Sequence, residues 1–171
     1  MNKQKSKKSP VSTLCSALGT ILLILVIICC LPLTLPKAMG YELYTVISGS
    51  MEPEIPVGSL VFVKYEFPSE IKEKDVIAFY GGKDSNAIVT HRVVENRQFM
   101  GDFITKGDAN DENDMNPVEY DNLIGRVEYS VPYVGTAAQF LSGPQGKFAA
   151  IGVIVAAIIF SALGSILEKK N

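Results

Sequence analysis

Three groups of residues in this chain have the right types for chemistry. Ser50 stands in Ile47-Ser48-Gly49-Ser50-Met51-Glu52-Pro53, His91 is the sole histidine, and four carboxylates crowd the segment Asp108-Ala109-Asn110-Asp111-Glu112-Asn113-Asp114. A serine becomes a nucleophile when a turn exposes its Oγ beside a base, with N–H or O–H donors near the oxygen that develops charge. Imidazole is a suitable base near neutral pH, whereas a lysine must first be desolvated. One aspartate then holds the imidazole in the working tautomer.

Each group also has a plainer reading. Ser-Gly-Ser is common in turns, and a strand histidine is commonly a packing residue. The acidic segment could hold calcium. An EF-hand counted from Asp108 needs glycine sixth and glutamate twelfth; Asn113 and Glu119 stand there, so the glycine is missing. A second enzyme reading keeps Ser50 and uses Lys83 or Lys64 as base. A non-catalytic domain that binds a partner or calcium through Asp108–Asp114 is the alternative from another class.

The elements that would position these residues are legible in composition. The chain has 171 residues and a net charge of −2, which argues against a nucleic-acid partner. Residues 41–146 carry 17 acidic against 8 basic side chains, while Lys3, Lys5, Lys7, Lys8 and Lys37 precede the first acid, Glu42. Residues 11–35 and 148–167 are uncharged and long enough to cross a hydrocarbon core of about 30 Å as helices. The first run exceeds a signal-peptide core of about 7–15 residues, so it reads as an uncleaved anchor. No lipobox-type residue precedes Cys29, against a lipoprotein. Gly152 with Ala156, and Ala157 with Ser161, have spacing suited to helix–helix packing.

Lysines outside both runs predict cytoplasmic tails (1–10 and 168–171) and an extracytoplasmic domain over 41–146 in the cell membrane. Cys15, Cys29 and Cys30 all lie in the first apolar run, which leaves the middle without a disulfide or a Cys/His metal pattern. Neither cofactor nor metal is called for. Segments 59–65, 75–80, 88–94 and 123–129 are rich in β-branched and aromatic residues and bounded by turn formers. A hairpin at Met100-Gly101-Asp102 joins 93–94 to 103–104, and residues 106–120 read as a loop. The fold class is mainly β: a small antiparallel barrel or folded sheet between two transmembrane helices.

Ser48-Gly49-Ser50-Met51-Glu52-Pro53, Asp75-Val76-Ile77, His91-Arg92-Val93 and Lys106-Gly107-Asp108 with Asp114 occur in the order of the type I signal peptidase boxes. Residues 41–127 resemble that family, and within it the branch of the endoplasmic reticulum, archaea and some spore-forming bacteria. The resemblance implies Ser50 as nucleophile and Ser48 with the Ser50 N–H as oxyanion donors. It implies His91 as base in place of the lysine of the bacterial branch, and Asp114 ahead of Asp108 as its partner. The implied activity is removal of signal peptides from exported precursors at a bilayer surface, in possible association with translocation machinery. The substrate would add as a strand, with Ile47, Met51, Ile55 and Val57 as candidate pocket residues. For Ile55 and Val57 core packing is the stronger expectation.

Overall fold

A computed structural model describes residues 10–82 and 86–169. The N-terminal lysines, Lys83 and the last two residues lie outside the described residues, so the readings placed on them stay with the sequence. The chain divides into two compact units, Thr34–Gln139 and the terminal segments up to Leu33 and from Phe140.

The central unit is one curled, seven-stranded antiparallel sheet. Its strands are β1 (Tyr41–Thr45), β2 (Leu60–Lys64), β3 (Val76–Tyr80), β4 (Ile88–Arg97), β5 (Asp102–Lys106), β6 (Val118–Glu119) and β7 (Leu123–Val131). Their spatial order is β1-β2-β7-β3-β4-β5-β6. Register shifts at Phe62/Val63, Ala78/Phe79 and Val93/Glu95 add the twist that curls the sheet. The mainly β, antiparallel class expected from the sequence is the class observed. Strands β1 and β6 and the helix α2 (Gly135–Ser142) were not anticipated. Each is short, and none carries enough periodic residues to announce itself.

Strand β3 is covered on both faces. Ile77 and Phe79 join Ile71, Val93, Phe103, Val118 and Leu123 in one apolar cluster, while Ala78 joins Met51, Ile55, Val61 and Val63 in another. Alternation along a strand sends neighbours to opposite faces, and this one element therefore feeds both cores. Ile55 packs as expected. Met51 is also core, at 1% exposure, whereas Val57 is 45% exposed because it sits at the turn before Gly58. Core packing for Val57 and a pocket role for Met51 are both set aside.

The terminal unit contains most of α1 (Pro10–Ala38) and all of α3 (Pro144–Lys169), each helix long and apolar enough to cross a membrane. At 1.5 Å per residue they measure roughly 43 and 39 Å. Helix α3 opens on Pro144, which fits a first helical position because its missing N–H has no acceptor there. Ser12 donates its hydroxyl to the Gly164 carbonyl at 2.8 Å. A Cβ on Gly19 would meet Ser161 Oγ at 2.4 Å and the Ala157 carbonyl at 2.8 Å; one on Gly164 would meet Ser16 Oγ at 2.3 Å. Small residues thus let the backbones approach, as packing within lipid requires. The Ala157/Ser161 pair lies at this contact, whereas nothing lies within 4 Å of a Cβ on Gly152.

Candidate active site

Ser50 lies on the connection between β1 and β2. Its base is closed by Val46 N–H donating to the Ser59 carbonyl at 2.9 Å and Gly58 N–H donating to the Val46 carbonyl at 2.8 Å. Gly58 has φ +83°, a left-handed conformation that glycine adopts without steric cost. Inside the loop, Glu52 N–H donates to the Gly49 carbonyl at 3.0 Å and Ile55 N–H to the Met51 carbonyl at 2.8 Å. The Met51 and Ile55 side chains sink into the core and fix this double turn. Ser50 is left half-buried and Ser48 exposed, with the two Oγ atoms 3.4 Å apart.

His91 comes from the middle of β4, paired across to Ile77 of β3. Its ring is buried, at 8% residue exposure, and meets Phe79 edge-to-face with centroids 6.2 Å apart. On the other side Arg92 pairs with Lys106 and Val93 with Thr105 of β5. That register carries Gly107 opposite His91, and places Thr105 and Gly107 on the face His91 uses.

The loop after β5 closes over this face. Asp114 N–H donates to the Thr105 carbonyl at 2.8 Å, and the Asp114 carboxylate lies 2.6 Å from His91 Nδ1. With Nδ1–H donating to that carboxylate, Nε2 keeps its lone pair. Thr105, wholly buried, donates its Oγ1 to the same Asp114 oxygen at 2.6 Å.

Asp108 has a different partner. Arg92 Nε and Nη2 reach its two oxygens at 2.8 and 2.6 Å, and Arg92 Nη1 donates to the Lys74 carbonyl at 2.8 Å. The Asp108 carboxylate lifts the Arg92 guanidinium above its ordinary value. Adjacent strand residues face opposite ways, so the ion pair lies across β4 from the imidazole. Of the two candidate aspartates, Asp114 hydrogen-bonds His91, while Asp108 pairs with Arg92.

Gly107 is where the serine and histidine segments meet. A Cβ there would lie 2.6 Å from the Ser50 carbonyl oxygen, 2.8 Å from Asn110 Nδ2 and 3.1 Å from His91 Nε2. Ala109 N–H donates to that Ser50 carbonyl at 2.9 Å. Hence Ser50 and the free nitrogen of His91 adjoin one spot on the loop. Thr105, Gly107 and the Ala109 N–H were given no role from sequence. A glycine between a strand and a polar loop, signalling close backbone approach, was the available sign.

The competing readings fare less well. Among the described residues no three His, Cys, Asp or Glu side chains group as a metal site. Asp108 and Asp114 are turned to Arg92 and to His91, while Asp111 and Glu112 are exposed. The Lys64 ammonium lies over the Tyr41 ring, 5.5 Å from its centroid.

No protein-family model matches the chain. It is similar to signal peptidase I W of Bacillus subtilis, with 43% identity over 99 residues, covering 56% of this chain and 50% of that protein. It is similar to the signal peptidase complex catalytic subunit SEC11C of Rattus norvegicus, with 31% identity over 126 residues, 67% of this chain and 65% of that one. A third relative is the signal peptidase complex catalytic subunit SEC11 of Verticillium alfalfae, 32% identical over 123 residues, which make up 64% of this chain and 69% of the relative. The alignments thus span about half of the first relative and just under two thirds of the second. These likenesses, together with two apolar helices long enough to span a bilayer, make the chain a membrane protein. The ordered serine, histidine and aspartate boxes and these likenesses agree, and the chain belongs to the type I signal peptidase family, in the branch that includes the SEC11 subunits.

Proposed function

We propose that this chain is a membrane-bound serine endopeptidase that removes signal peptides from exported precursors. Ser50 Oγ attacks the scissile carbonyl and His91 Nε2 takes its proton. Asp114 holds the ring and stabilises the imidazolium, which returns the proton to the leaving amine. Water then opens the acyl-enzyme by the same route. Ser48 Oγ and the Ser50 N–H stabilise the oxyanion.

The observation that carries this reading is the pairing of His91 Nδ1 with Asp114, while Nε2 and the Ser50 carbonyl adjoin the same point over Gly107. In the reading, α1 and α3 both cross the bilayer. The lysines beyond them keep the termini cytoplasmic and leave the β domain outside, where cleavage sites emerge. Confinement to that thin layer raises the effective concentration of enzyme and precursor. We place the chain beside the translocation machinery that delivers those precursors. The test is processing of a secretory precursor in membranes containing the intact chain or its Ser50→Ala variant. Cleavage by the variant at the intact rate removes the assignment.

A further inference from the structure

Asp114 is held to Thr105 by two hydrogen bonds, one from backbone to backbone and one from side chain to side chain. The Asp114 N–H reaches the Thr105 carbonyl at 2.8 Å, and Thr105 Oγ1 reaches Asp114 Oδ2 at 2.6 Å. The second bond lands on the oxygen that faces His91 Nδ1, also at 2.6 Å. Thr105 is wholly buried, and its position opposite Val93 puts it one pair along from His91 on the same face. It is too deep to touch a bound peptide, and its hydroxyl has a single committed role.

We propose that Thr105 is a positioning residue of the site: its hydroxyl locks the Asp114 carboxylate so that Oδ2, and no other rotamer, meets the imidazole. The proposal rests on the serine peptidase reading given above. A carboxylate on a loop has two oxygens and a freely turning χ2. The backbone bond fixes where Asp114 begins, but leaves its side-chain torsions open. The Thr105 O–H removes that freedom from the one oxygen that must orient His91. Valine at this position would keep the shape and leave the carboxylate without its second donor. Serine would keep the donor and lose only a methyl group.

The experiment compares Thr105→Ser, Thr105→Cys and Thr105→Val in the full-length chain in detergent micelles. It follows cleavage of a precursor peptide, thermal unfolding and the proton resonance of the His91 Nδ1–H. The expected order of kcat is Thr, then Ser close to it, then Cys, then Val, with Val down roughly tenfold to a hundredfold and KM little changed. The downfield Nδ1–H signal should move or broaden in the Val variant and persist in the Ser variant. If Val fails to fold, the Ser-to-Cys comparison decides. A Val variant within twofold of the parent rate, a Ser variant as damaged as Val, or an effect confined to KM overturns the proposal. So does an unmoved resonance in the folded Val variant, a readout that needs no turnover. Retained cleavage by Ser50→Ala would instead sink the peptidase reading, so the two failures are distinguishable.

Discussion

Ala109 donates its backbone N–H to the carbonyl oxygen of Ser50 at 2.9 Å. This bond docks the β1–β2 turn on the loop that follows β5, although the two segments are far apart in the chain. The same loop brings Asp114 to His91, so one irregular segment touches all three groups proposed to react.

Removing either hydroxyl of the turn should separate their roles. Ser50→Ala is expected to abolish precursor cleavage, leaving only what binding and oxyanion donors supply. Ser48→Ala should lower kcat by roughly a hundredfold to a thousandfold with little change in KM, as for loss of one oxyanion donor. Single-turnover kinetics with a precursor peptide check both.

His91→Ala should abolish cleavage, while Lys83→Ala should leave it largely intact. The base must be neutral to accept the Ser50 proton, so the rate should fall in acid. A profile of kcat/KM that stays flat down to pH 5 would count against this base.

The two aspartates should behave differently. Asp114→Asn removes the carboxylate that fixes the tautomer and should lower kcat by roughly three to four orders of magnitude, with the fold intact. Asp108→Asn leaves Arg92 half-satisfied and should lower stability by about 1–3 kcal/mol, with a smaller effect on kcat. Denaturation midpoints measured beside kcat distinguish the patterns; equal catalytic losses would contradict the division.

Gly107→Ala adds a methyl group where the Ser50 carbonyl, Asn110 Nδ2 and His91 Nε2 already crowd at 2.6, 2.8 and 3.1 Å. Two of those neighbours belong to the residues proposed to react, so relief of the clash must displace one of them. The variant should lose most of its cleavage and about 1–3 kcal/mol of stability. Near-parental activity would show that the serine and histidine segments need not approach across this glycine.

In the terminal unit, Gly164→Leu should weaken the pairing of α1 with α3. A Cβ there lies 2.3 Å from Ser16 Oγ and 3.0 Å from the Ser12 carbonyl. Overpacking of this kind costs about 1–3 kcal/mol. Gly152→Leu, with nothing within 4 Å of its Cβ, is the control. Unfolding of the chain in mixed detergent–SDS micelles should shift for the first variant and not for the second.

The sequence by itself determined the uncharged runs, the acidic middle and most of the strands, because hydropathy and period-two alternation are local properties that survive without neighbours. It also presented the serine, histidine and aspartate boxes in family order. Only tertiary structure decided that Asp114 meets His91 while Asp108 meets Arg92, that Met51 is core, that Thr105 bonds Asp114, and that Gly107 lies between Ser50 and His91. Those outcomes follow from the pairing of β4 with β5, where Val93 faces Thr105. A slip of one residue in that register would turn every side chain to the other face, and the composition of an acidic loop carries no trace of which way it falls.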